Sequence, residues 1–315
     1  MNSISRKLRK FLGVNHKSQW SQKDLSVRDR ILVATGAIAS MRSRYANITN
    51  LWDTEIRVFS QWGEDGILTY LLDSLEIWKP KIIEIGAGNF EECNSRFQAE
   101  FRNASVYAVD SRSDLKPHVE SLEIYWRNTI FPINDHVTPD NVNSHLNVAR
   151  HNLGGLDVFS LDVDGNDFWI LQSANLEGIS IVVCEYNPVF GDSSSITVPR
   201  DDYFSREDKH YSYLYYGMSL RACIELLSSK GYVFCGANLA GNNAFFIESN
   251  LIDRIKLVIP DPSNLSKFID WRVRESRNEI GEMSYLTGNE QKKLIGNLKV
   301  YDLKKSSLVS LSAVI

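Results

Sequence analysis

Three carboxylates and an amide, Asp162, Asp164, Asp167 and Asn166, crowd around Gly165 in the stretch SLDVDGNDFWIL, directly after an apolar run. Further on, VVCEYNP sets Glu185 and Asn187 at the end of a second apolar run. Oxygen donors in this number support three chemistries. Asp164, Glu185 and Asn187 could hold Mg2+ or another divalent cation, which would bind and acidify a diol. Asp162 or Asp164, clustered with like charges, could have a raised pKa and act as a general base, with His210 as an alternative base. The third option is structural: DGND forms a turn in which Asn166 or Asp167 caps the helix FWILQSA. Two acidic strand ends side by side repel unless a cation or donor group lies between them, which favours function for Asp164 and structure for Asp167.

To act together, these groups must stand at neighbouring strand ends. Alternation along FSLDVDG puts Leu161 and Val163 on one face and Asp162 and Asp164 on the other. The flanking sequence supplies the remaining elements. GEDGILTYLLDSLEIW reads as a helix with Ile67, Leu68, Leu71, Leu72 and Leu75 on one side. KIIEIGAG reads as a buried strand ending in a glycine turn, followed by a helix through SRFQAEF and a strand SVYAVD. Thr138 and Pro139 suit the N-cap and first position of a helix. LDVFSLDVDG and ISIVVCEYNP are two more strands. SLRACIELLSSKG is a helix closed by Gly231, and YVFCGAN and NAFFIES form a hairpin. Strands alternating with helices imply an α/β fold with a mostly parallel sheet and ligands beyond the C-terminal strand ends. Between them, the polar insertion Gly191 to Tyr216, rich in Tyr, Ser and Asp, suits a lid that stacks on and hydrogen-bonds to sugars.

Charge is distributed unevenly. The 315 residues carry a formal −4, yet residues 1–50 hold ten Lys and Arg against Asp24 and Asp29, leaving −12 for the rest. An acidic body repels phosphate, so nucleic acid is not the expected partner. ISRKLRKFLGV places Ile4, Leu8, Phe11 and Leu12 on one helical face, which permits peripheral contact of residues 1–20 with an anionic membrane, or packing on the domain or a partner. No apolar stretch is long enough to span a bilayer, and Cys93, Cys184, Cys223 and Cys235 show no C-x-x-C pair, which fits a cytoplasmic protein, peripheral at most to the inner membrane face. The expected organisation is a basic helical extension over 1–50, one domain over 51–250, and a charged C-terminal extension over 251–315 packed on it. In that extension Arg272, Arg274 and Arg277 could meet a phosphate or carboxylate, or pair with Glu275 and Glu279.

IIEIGAGNFEE places Gly86 and Gly88 in a G-x-G turn, where glycines let the backbone approach a nucleotide. A dinucleotide pattern wants a third glycine where this chain has Glu91, a residue expected to oppose a pyrophosphate and hence NAD. Glu84 in the turn, together with Asp110 at the next strand end, makes the E-x-G-x-G plus acidic arrangement of class I S-adenosylmethionine (SAM) methyltransferases. Asp110 can accept two hydrogen bonds from a ribose diol, and a carboxylate-rich turn suits a sulfonium. The closing hairpin agrees with that sheet.

Taken in order, FSQWGEDGIL, IIEIGAGNFEECNS, LDVFSLDVDGNDFWIL, VVCEYNPVFG and KGYVFCGANLAGNNAFFI resemble FkbM-related SAM-dependent methyltransferases of the branch found with polysaccharide genes, over about residues 57–300. The resemblance implies the class I methyltransferase (Rossmann-like) fold, SAM as donor, and a hydroxyl acceptor on a sugar or glycan. It also implies that Gln61, Gly63, Glu64 and Asp65 line the methionine end, Glu84, Gly86 and Gly88 the first loop, and Asp110 the ribose. Asn94 matches an asparagine after the glycine turn, and Asn134 and Asp135 would meet the adenine edge. Many members read Asp-x-Glu-Gly where this chain reads Asp162-Val163-Asp164-Gly165, so their active-site chemistry need not transfer. The rival readings are an NAD-dependent oxidoreductase and a membrane-associated scaffold with a degenerate pocket.

Overall fold

In the computed structural model, residues 28–29, 31–36, 38–39, 48–270 and 275–315 are described. The basic segment 1–20, Arg272 and Arg274 lie outside them. Five apolar runs form parallel strands: β1 (Lys81–Ile85), β2 (Ser105–Asp110), β3 (Ile130–Asn134), β4 (Val158–Leu161) and β5 (Ile181–Glu185). Each is nearly all apolar because both faces of the sheet are covered by helices. Ile83, Ile85, Phe159 and Leu161 fill one layer, and Ile82, Val106, Val158 and Val183 the other. Burial of each such side chain stabilises the fold by about 1.5–3 kcal/mol.

After β6 (Ile196–Thr197), which belongs to a smaller sheet, the chain adds β7 (Tyr232–Ala237) and β8 (Asn243–Glu248). The main sheet runs β3-β2-β1-β4-β5-β8-β7. β8 lies antiparallel to both β5 and β7, as the hairpin pattern predicts. This is the sheet expected of class I methyltransferases. The chain leaves β1 in one direction and returns to β4 on its other side, so β1 and β4 flank a switch point with a crevice beyond their carboxyl ends.

One predicted feature changes. The helix expected to start at Pro139 is Val142–Leu153, with Asn141 at its N-cap. Asn141 Oδ1 accepts from the Thr138 amide at 2.7 Å, so Thr138 and Pro139 form the turn that leads in. A further feature, the C-terminal extension, contributes strands. β9 (Lys299–Asp302) pairs antiparallel with β10 (Ser307–Ser310) and with β6 of the polar insertion. Phe190, Ile196, Val198, Leu214, Ile295, Val300 and Leu311 form one apolar cluster beneath this small sheet. Insertion and tail are thus one packed unit. Among the described residues no helix is long and apolar enough to cross a membrane.

Candidate active site

The crevice contains a cavity of 380 Å³ lined by strand ends, including Gly86, Gly88, Asp110, Asp135, Asp162 and Asp164. Its volume lies in the range of small-molecule sites. The glycines are required for different reasons. Gly86 has φ +88°, and a Cβ there would fall 1.5 Å from the Asp162 carbonyl oxygen, because the ends of β1 and β4 touch. Gly88 has φ +58° with open space where its side chain would be, which leaves its backbone accessible. The Gly88 amide donates to Asp110 Oδ2 at 2.8 Å and the Arg112 amide to Oδ1 at 2.9 Å. Each oxygen keeps a lone pair for a ligand. Next to Asp110, Asp135 bridges to His145 at 3.3 Å, and His136 stacks on Tyr203. The glycine cradle and the adjoining carboxylate fit a nucleoside with a diol.

At the other end, the β4 turn departs from simple alternation. The strand stops at Leu161, and Asp164 takes a left-handed φ of 55°. One oxygen each from Asp162, Asp164 and Glu185 nevertheless lie within 4.8 Å of one another. Burial, then the neighbouring carboxylates, push Asp162 and Glu185 well above the usual carboxylate range. Asp167 is structural, but as a brace of the preceding turn and not as the expected helix cap. Fully buried at the start of the helix Asp167–Ser173, it accepts from the Val163 and Gly165 amides at 2.9 Å each and fixes the turn, and burial raises its pKa to about 6. Asn166 does not cap that helix with its side chain. Its amide instead exchanges two hydrogen bonds with the backbone of Asp201 in the insertion.

Several expected ligands are engaged elsewhere. Asn187 leaves the metal set: it is fully buried, donates to the Leu214 and Tyr216 carbonyls at 2.9 and 3.0 Å, and accepts from the Val189 amide. A cation would have to share Oδ1 with the Val189 amide. Glu84 points away from the cavity and accepts from the Asn94 and Ser95 amides, anchoring the helix Arg96–Arg102, while the Asn94 side chain donates to Ser160. Glu64 joins Trp62 to Asn238 and Asn243 of the β7–β8 hairpin. Buried Asp65 accepts from three amides, Val58, Phe59 and Ser60, and burial raises its pKa to about 7. Gln61, Gly63, Glu64 and Asp65 do not line the cavity, and Asn134 donates to the Arg112 carbonyl beside it. His210 also stands off the cavity, with Nδ1 2.7 Å from Ser212 Oγ, and burial lowers its pKa. Glu91 lines a separate cavity with Arg57 and His118, so it does not face a nucleotide bound at the glycine turn. Asp110, Asp135, Asp162, Asp164 and Asp202 are the acids that do.

Besides Arg112 and His136, three participants from the insertion were not anticipated. Asp202 and Phe204 of the insertion line the cavity, and Phe204 packs so tightly on Gly165 that a Cβ there would lie 2.3 Å from its ring. Arg206, also in the insertion, donates to Asp164 Oδ1 at 2.7 Å and lies 4.0 Å over the Tyr216 ring. The insertion's richness in Tyr and Asp was the only sequence signal for them.

The site fits the class defined by the fold, α/β proteins with a nucleoside cradle at the β1–β4 switch point. No family model and no curated protein matches the chain. Among solved structures it is similar to the fibrillarin/NOP5p complex at 13% identity, covering 64% of this chain and 90% of that one, with a TM-score of 0.33. It is also similar to the N-terminal domain of EvdMO1, determined with SAH and D-fucose, at 10% identity, 67% and 94% coverage and a TM-score of 0.38. A putative O-methyltransferase of Nostoc punctiforme aligns at 12% identity over 74% of each chain, with a TM-score of 0.33.

Proposed function

We propose that this protein is a SAM-dependent O-methyltransferase acting on a hydroxyl of a sugar or glycan-linked acceptor. The observation that carries this reading is one cavity joining a nucleoside cradle, Gly86, Gly88 and Asp110, to converging carboxyls at Asp162 and Asp164. SAM, when bound, supplies a sulfonium-activated methyl group for in-line displacement. Asp110 accepts the ribose hydroxyls, and Asp135 and His136 border the base. Methyl transfer needs alignment of the acceptor oxygen and removal of its proton. Asp162 lies at the cavity end with its pKa raised, which suits that proton. The acidic lining favours a cationic donor and opposes the pyrophosphate of NAD. Tyr203, 87% exposed and parallel to the His136 ring, offers a sugar a stacking face at the mouth.

Calorimetry with SAM, S-adenosylhomocysteine (SAH) and NAD+ tests the proposal. SAH binding with no NAD+ binding is expected, and Asp110→Ala should weaken SAH by about 2 kcal/mol, roughly 30-fold. Folded protein that binds NAD+ in preference, or no SAH, overturns it. Residues 1–20 give the protein a means of peripheral membrane contact. Liposome flotation against a chain starting at Leu51 checks this, and equal behaviour removes the role.

A further inference from the structure

An acid cluster at two strand ends demands positive charge, and a divalent cation is one way to meet it. We infer that Arg206 is the resident cation of this cluster, so that the acceptor end works without a divalent metal. The inference rests on the proposed function only for its catalytic meaning, since the geometry stands apart from the donor.

Three observations support it. First, Asp162, Asp164 and Glu185 converge closely enough to hold an ion, and no donor reaches the buried Glu185 Oε2. Retained protons relieve part of the repulsion in such a triad, as the raised pKa values of Asp162 and Glu185 show, and a neighbouring cation relieves more. Second, Arg206 is built into it. Its Nη1 donates to Asp164 Oδ1 at 2.7 Å, its Nε donates to the Tyr213 carbonyl at 2.5 Å, and its guanidinium lies over Tyr216. The side chain is 16% exposed, against 53% for Asp164, and its charge also acts on Asp162 and Glu185. A guanidinium stays charged at any working pH, and its plane is fixed here from three sides. Third, the fourth oxygen ligand that would complete a cation site, the Asn187 amide, is spent on backbone partners. A divalent cation would have to displace Arg206 from Asp164 Oδ1 or enter beside its fixed positive charge.

The source of the cation matters as much as its charge. The three acids come from β4 and β5, whereas Arg206 comes from the insertion. Arg206 reaches these acids only with the insertion seated, which makes it a positioning residue that holds Asp164 beside the Asp162–Glu185 pair.

The test is Mn2+ binding, followed by the electron paramagnetic resonance signal of the free ion, on the full chain. The wild type is expected to bind Mn2+ no more tightly than about 1 mM. Arg206→Met, which keeps an apolar stem on Tyr216, should bind at least about tenfold more tightly. Adding Asp164→Asn to that variant should abolish the gain. Arg206→Lys should keep Mn2+ out, because charge and not shape excludes it. Circular dichroism and retained SAH binding verify that Arg206→Met is folded. Stoichiometric micromolar Mn2+ binding by the wild type overturns the inference whether or not any variant folds, as does a folded Arg206→Met that gains nothing. A wild type that binds neither Mn2+ nor SAH refutes the proposed methyltransferase activity while supporting the role of Arg206.

Discussion

The two ends of the cavity are built by opposite means. The proposed nucleoside end is almost entirely local: a strand, a glycine turn and the next strand end, closed by backbone amides on Asp110. The acceptor end is assembled from β4, β5 and the insertion, which in turn is tied to the tail through β6 and β9. Local construction tolerates little variation in the turn but is insensitive to the rest of the chain. Distributed construction lets the acceptor side vary with the insertion, at the cost of depending on many distant contacts.

The largest effect that would break this contrast is expected at Asp162. Asp162→Asn should lower methyl transfer to any acceptor that turns over by about 10²–10⁴-fold, with SAH affinity unchanged. A parallel loss of SAH binding would mean that the two ends are not separate. Asp110→Ala should do the reverse, weakening SAH by about 2 kcal/mol in a titration, with a loss of stability of about 1–2 kcal/mol from the two backbone amides it accepts.

Asp65, buried away from the cavity, gives a pH test of the scaffold. Its folded pKa, about 7, lies above the unfolded value, so the native state binds more protons, and stability falls as pH rises from about 4 through 7. Between pH 5 and 8, urea denaturation should show the wild type losing on the order of 2 kcal/mol relative to Asp65→Asn. A pH-independent difference would mean that the carboxyl is charged throughout. The smallest effect is set at the insertion's base. Ser219 Oγ caps the helix Leu220–Ser229 through the Ala222 amide at 3.1 Å and donates to the Ser194 carbonyl. Ser219→Ala should cost about 1 kcal/mol by chemical denaturation and leave SAH affinity unaltered.

Local construction also decides what can be read from sequence. The strands themselves, the hairpin, the glycine turn and the place of Asp110 at a strand end follow from periodicity and spacing within short windows. Asp167 was legible for the same reason, because its partners, Val163 and Gly165, are its neighbours. Glu64, Glu84 and Asp65 matched a motif by type and position, but burial assigned them to backbone amides and asparagines that no local pattern reveals. Asn187 was misjudged because its partners lie about thirty residues on, in the insertion. Arg206, 42 residues from Asp164, sits in REDK, which reads as an ordinary solvated turn. Its selection as the counter-ion is a product of tertiary packing alone.

The pairing of β6 with β9 has a consequence for the order in which the protein is completed. About a hundred residues separate Thr197 from Lys299, so at 5–20 residues per second β6 waits roughly 5–20 seconds for its partner strand to be made. The main sheet, finished at Glu248, can form in that interval, while Phe190, Ile196 and Val198 still lack their cover. The nascent chain would thus hold its nucleoside cradle before its acceptor side. In that interval the apolar face of the insertion is open to water.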